Sequence, residues 1–186
     1  LDFAAHQGNL SESDFSFEDS ELRGVDPTHV WALMYTESRF RRHVVSYVGA
    51  RGALQVMPWT GRQLEERLGE FEGRFDSDRL FQIEDNSRLS VYYVAELMKN
   101  FKDQPAFVYA SYNGGPSNVA RWLEAKAQGP GTLTLDDYIE EIVFDETRRY
   151  TKRVLETQAA YQLMYEGTLP EWDDAVDAEV AHTIEF

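Results

Sequence analysis

Hydrophobic residues along the chain recur at helical spacing, and nowhere do they alternate for long. After Asp26-Pro27, the positions Val30, Leu33 and Met34 fall at i, i+3 and i+4. Asp26 suits an N-cap and Pro27 a first helical position, so a helix is predicted over about 27–40. The next member of that stripe, at i+7, is Glu37, a carboxylate where an apolar side chain is due. Further helices are predicted from Pro58 to about Leu68, over about 84–102 with Leu89, Tyr93 and Leu97 on one stripe, and just after Pro105 around Phe107-Val108-Tyr109-Ala110. Pro116 opens another to about Ala127, Asp136 a short one, and Asp145 or Glu146 a long one to about Tyr165. The stripe of that last helix reads Tyr150, Val154, Thr157 and Tyr161. Loops are expected over 43–52, 69–82 and 128–132, where Gly, Pro and short polar residues gather. The pattern is that of a mainly α fold.

Composition refines this picture at the two ends. Residues 1–24 hold six acids and one base, and residues 166–186 hold seven acids and neither Lys nor Arg. The stretch between carries twenty acids and seventeen bases, so the net charge of -15 belongs largely to the flanks. We therefore read 1–24 as an acidic, irregular lead-in, 25–165 as the main folded domain and 166–186 as an acidic tail that either wraps the domain or moves freely. An acidic surface repels phosphates and argues against nucleic acid as a partner. With no cysteine, neither a disulfide framework nor a thiolate metal site is available. The four histidines are scattered, with no metal-ligand spacing. No apolar run is long enough to span a bilayer, and Leu1-Asp2-Phe3-Ala4-Ala5-His6 has no signal-peptide character.

Glu37 admits two readings. It turns to solvent at the helix end, or it is desolvated and keeps a proton, as a general acid must. The residues that follow bear on the choice. Glu37-Ser38-Arg39-Phe40, Ser46 nine residues after the Glu, and Gly49-Ala50-Arg51-Gly52-Ala53-Leu54-Gln55-Val56-Met57-Pro58 form one block. Ala110-Ser111-Tyr112-Asn113-Gly114-Gly115-Pro116 forms a second, and Glu140-Glu141-Ile142-Val143-Phe144-Asp145-Glu146-Thr147-Arg148-Arg149-Tyr150 a third. In that order the blocks resemble the motifs of the lytic transglycosylase catalytic domains of the lysozyme-like superfamily.

The resemblance implies a lysozyme-like helical domain with a substrate groove, acting on peptidoglycan glycan strands. It also implies a catalytic Glu37, without metal or organic cofactor. Glu37 would protonate the oxygen joining N-acetylmuramic acid to N-acetylglucosamine, then deprotonate the muramyl 6-hydroxyl, which attacks its own anomeric carbon to leave a 1,6-anhydro end. An internal nucleophile replaces the second carboxylate that glycoside hydrolysis normally needs. That agrees with the absence of any Asp or Glu between Ser38 and Leu64. Ser46, Gln55, Met57, Tyr112, Asn113, Glu146 and Tyr150 carry over as substrate-binding positions. Beside five of them stands a plainer role: loop cap for Ser46, core filler for Met57, buried phenol for Tyr112, turn former for Asn113, first-turn acid for Glu146. Glu146 and Arg148 are expected to pair or to organise the groove, and Tyr150 to stack beneath a sugar. A monomer in the periplasm or outside the cell is expected, with any targeting segment lying outside this sequence.

Two other classes compete. A water-using lysozyme would need Glu141, Asp145 or Glu146 opposite Glu37, and a non-catalytic wall-binding module would keep only the fold. The departures from the family pattern are Ala53-Leu54 for Leu-Met, Tyr47 for Pro, Arg41-Arg42 for an Asn-Pro-like pair and Val143 for Pro. Ala53-Leu54 removes bulk beside the expected groove, from which an altered glycan preference, such as de-N-acetylated peptidoglycan, is expected.

Overall fold

The computed structural model describes residues 18–70, 75–127 and 134–176. These fall into two compact units, one running to Ala95 and the other starting at Glu96. Among the described residues there is no strand, only isolated bridges pairing Val45 with Arg51, Arg51 with Val56 and Thr134 with Ala175. No described helix is long and apolar enough to cross a membrane.

The first unit contains α1 (Glu18–Arg23), α2 (Pro27–Ser38), α3 (Pro58–Leu68), a 3₁₀ turn (Ser77–Phe81) and most of α4 (Ile83–Asn100). α2 begins as its sequence dictates: the Asp26 carboxylate accepts from the Thr28 amide and hydroxyl, each at 2.7 Å, and Pro27 follows the cap. Val56, Leu64, Phe75, Leu80 and Leu89 form a buried cluster, with Leu68, Tyr92 and Tyr93 packed against it. The lead-in is not irregular throughout, since α1 lies inside it. Its order comes from distant partners: Asp19 pairs with Arg88 at 3.6 Å, and Arg23 pairs with Glu70 at 3.1 Å and lies over the Tyr92 ring. A local apolar pattern does not display such contacts. The loop expected over 69–82 likewise holds the 3₁₀ turn, capped by Asp76 and anchored by the fully buried Leu80.

The second unit contains α5 (Pro105–Gly114), α6 (Pro116–Ala127), α7 (Leu135–Glu140) and α8 (Asp145–Glu166). α5 is its central element: every residue from Ala106 to Ser111 is buried, as expected of a helix apolar nearly all round. It packs against α6 and α8, while α7 packs on α8. The inward face of α8 is Thr147, Tyr150, Thr151, Val154, Leu155, Gln158 and Tyr161. Gln158 takes the place expected for Thr157, because its amide oxygen accepts from the buried Tyr109 hydroxyl at 2.8 Å. Thr157 instead turns its hydroxyl to the Arg153 carbonyl. The start of the acidic tail folds back, with the Leu135 amide donating to the Asp174 carbonyl at 3.0 Å. The remainder of the tail, from 177, lies outside the described residues, as do 1–17 of the lead-in.

Candidate active site

Glu37 sits half-buried in the last turn of α2. The helix is stopped without glycine: Arg39 and Phe40 both take left-handed conformations, at φ 53° and 60°. Each such non-glycine residue costs about 1–2 kcal/mol and needs support from its surroundings. Ser38 and Phe40 supply that support. Ser38 is 1% exposed; its hydroxyl donates to the Met34 carbonyl at 3.2 Å and accepts from the Arg41 amide at 3.1 Å. Phe40 is driven into the interior, 2% exposed, with its ring 6.3 Å from that of Tyr35. The Ser and Phe of the first motif thus fix the turn that holds Glu37 at the helix end.

The loop after this turn is irregular but tightly tied. Arg51 bridges to both Val45 and Val56, and its guanidinium meets Asp78 at 2.5 Å and lies over Phe81. Gly52 is required twice over: its φ is 83°, and a Cβ there would stand 2.0 Å from the Leu80 carbonyl oxygen. Asn86, fully buried near the start of α4, accepts from the Leu54 amide at 2.8 Å and donates to the Arg51 carbonyl at 3.2 Å. This clamp lies 32 residues from Leu54 in sequence, so no local signal announces it. Its one trace is a polar residue on the inward side of a helix.

Within this loop Ser46 and Gln55 both support the backbone. The Ser46 oxygen accepts from the Ala50 amide at 2.9 Å, which leaves its hydroxyl proton to donate. Both hydrogens of the Gln55 amide are committed, to the Gly52 carbonyl at 2.7 Å and the Val44 carbonyl at 3.2 Å. Its carbonyl oxygen is therefore the atom with which Gln55 can meet a ligand. Met57 is half-buried just before α3. Ala53 and Leu54 are 1% and 0% exposed. The changed pair faces the interior instead of forming a groove wall, and the altered preference expected from it loses its basis. A cavity of about 430 Å³ beside α3 is lined by Pro58, Arg62, Phe75, Asp76 and Ser77, none of them a predicted site residue.

The remaining candidates lie in the second unit. Tyr112 is half-buried near the end of α5, and the exposed Asn113 accepts from the Thr147 hydroxyl at 2.7 Å, tying α5 to α8. Gly114 makes room for that contact, since a Cβ there would stand 2.9 Å from the same hydroxyl. Thr147 is a positioning residue that sequence reasoning passed over. Tyr150, 9% exposed on the inward face of α8, leaves little of its ring to stack beneath a sugar. Arg148 pairs with Asp145 and not with Glu146, and donates to the Ile142 carbonyl at 3.3 Å. Glu146 is exposed in the first turn of α8, where the helix dipole favours an acid. Of the carboxylates that a hydrolase would need, Glu141 pairs with Lys126 and Asp145 with Arg148.

This architecture is that of the lytic transglycosylases. It matches an inactive mutant of lytic transglycosylase Slt from Pseudomonas aeruginosa with a TM-score of 0.77 and 28% identity, over 93% of this chain and 27% of that one. It matches a complex of the 70-kDa soluble lytic transglycosylase with bulgecin A with a TM-score of 0.80 and 27% identity, over 88% and 27% of the two chains. A family model described as the transglycosylase SLT domain matches residues 14–133, and the chain belongs to that family. The matched span includes the first two motif blocks and ends before the third. The soluble lytic murein transglycosylase of Salmonella typhimurium is 30% identical over 155 residues, which are 82% of this chain and 23% of that protein. Membrane-bound lytic murein transglycosylase C of Edwardsiella ictaluri is 29% identical over 160 residues, covering 77% and 44%. The chain thus spans about a quarter of the length of its soluble relatives.

Proposed function

We propose that this chain is the catalytic part of a lytic transglycosylase that cleaves peptidoglycan at the bond between N-acetylmuramic acid and N-acetylglucosamine. The observation that carries the reading is the setting of Glu37. It is a half-buried carboxylate held at a helix end by a built turn and followed by a tied loop, with no acid from Ser38 to Leu64. Such a site has an acid to protonate the glycosidic oxygen but no neighbouring carboxylate in that loop to activate water. Glu37 then takes the proton of the muramyl 6-hydroxyl, and a 1,6-anhydro end results.

Ser46 donates and Gln55 accepts toward the sugar's acetamido or hydroxyl groups, and Met57 stands beside them in sequence; Tyr112 and Asn113, in the second unit, are substrate-binding positions in the same reading. The substrate in this reading is the ordinary acetylated strand. The catalytic body lies within 25–165, works as a monomer and acts in the periplasm or outside the cell. The test is the products released from purified peptidoglycan: anhydro ends, one water lighter than hydrolysed ends, with wild type and none with Glu37→Gln. Hydrated ends would move the assignment to a lysozyme-type hydrolase. Release unaffected by Glu37→Gln would remove Glu37 from the chemistry.

A further inference from the structure

In a chain of net charge -15, the stretch between Ser38 and Leu64 holds five arginines and no acid. Two of these arginines are held by side-chain partners. Arg39 donates to the Tyr35 hydroxyl at 2.9 Å and lies over its ring, and Arg51 meets Asp78. Arg62 borders the cavity beside α3. Arg41 and Arg42 differ. Both are exposed, and both stand where the family pattern has an Asn-Pro-like pair. Arg41 uses only its Nε, donating to the Ser38 carbonyl at 2.8 Å. That bond holds the guanidinium against the end of the helix that carries Glu37, with both terminal nitrogens unengaged among the described residues. Arg42 makes no hydrogen bond or ion pair among the described residues.

The substrate proposed above carries a matching charge at a matching place. Glu37 would act on the oxygen at the muramyl anomeric carbon, and the lactyl group on the same sugar ring bears a peptide stem with free carboxylates. A guanidinium with both terminal nitrogens open binds a carboxylate in bidentate fashion, which a lysine cannot do. We propose that Arg41 and Arg42 bind a carboxylate of the peptide stem next to the bond being cut. This rests on the peptidoglycan reading and makes the enzyme sensitive to peptide substitution of the strand. The competing occupant is an anionic lipid surface, for which the exposed Tyr47, Val45 and Val48 would be apolar partners. The Arg41–Ser38 bond favours the stem, because it ties the guanidinium to the backbone of the residue that follows Glu37.

The experiment compares cleavage of peptide-bearing glycan strands with cleavage of strands stripped by an amidase, for wild type, Arg42→Ala and Arg41→Ala/Arg42→Ala. The ratio of kcat/KM on peptide-bearing strands to that on stripped strands is expected to fall at least tenfold in the double variant, mostly through KM. It is expected to fall severalfold in Arg42→Ala, whose side chain supports no part of the fold. An unchanged ratio in both variants overturns the proposal. So does an unchanged ratio accompanied by lost binding to phosphatidylglycerol vesicles, which assigns the arginines to a lipid surface. Failure of wild type on both strands sinks the proposed activity, and this inference with it.

Discussion

The second unit and the segment that follows Glu37 in the first are each held in place by different physics. In the second, apolar helix faces do the work: α5 is buried from Ala106 to Ser111, and α8 presents one unbroken inward stripe to its neighbours. In the first, the segment that follows Glu37 has little regular structure. It is fixed by single polar contacts, among them Ser38 to Arg41, Asn86 to Leu54 and Gln55 to Gly52. Packed stripes tolerate the loss of one contact, because burial is spread over many residues. A polar clamp does not, because each lost partner leaves a buried group unsatisfied. The proposed chemistry sits on the clamped segment, where geometry is fixed most finely.

The strongest break of this contrast is at Glu37 itself. Glu37→Gln is expected to lower turnover of purified peptidoglycan by about 10²–10⁴-fold with little change in Tm. Parallel loss of Tm would mean that the residue is structural. Next, Gly52→Ala forces a Cβ onto the Leu80 carbonyl at a left-handed position, which should cost about 3 kcal/mol or more in urea unfolding and reduce activity further than the loss of fold explains.

Acid sharpens the same contrast. Burial pushes His29, on α2, down to about 4, against a smaller opposing effect from Asp26. Between pH 6.5 and 4 the unfolded chain takes up a proton there that the folded chain refuses, so stability falls as pH falls through that window. The loss should reach about 1–3 kcal/mol, and His29→Gln should flatten that part of a stability–pH curve. The smallest effect is expected in the second unit. Tyr109→Phe removes the hydrogen bond to the buried Gln158 amide oxygen and should cost about 1–2 kcal/mol, while activity per folded molecule holds. Lost activity at unchanged Tm would break the division of labour.

The helices were readable because their cause is local. Asp26-Pro27 begins α2, and the stripe of α8 is visible as Tyr150, Val154 and Tyr161 at helical spacing. Glu37 stood out as a polar residue after an apolar run; in the helix it is half-buried, and Val30 to Met34 are buried on every side instead of along one stripe. What sequence missed has distant causes. α1 depends on Arg88 and Glu70, the loop depends on Asn86, and Thr147 matters through Asn113, 34 residues earlier. Ala53 and Leu54 misled for a related reason. Motif position says which residues flank Gln55, whereas only the fold says that these two point inward.

The Asn86 clamp has a consequence for time as well as for shape. The Leu54 amide proton is held by a side chain rooted in α4, so it can exchange with solvent only when the loop and that helix part company. In a deuterium-exchange experiment Leu54 should keep pace with the slow amides of α4 and not with ordinary loop amides. The loop that follows Glu37 would then open only as rarely as α4, however irregular it looks.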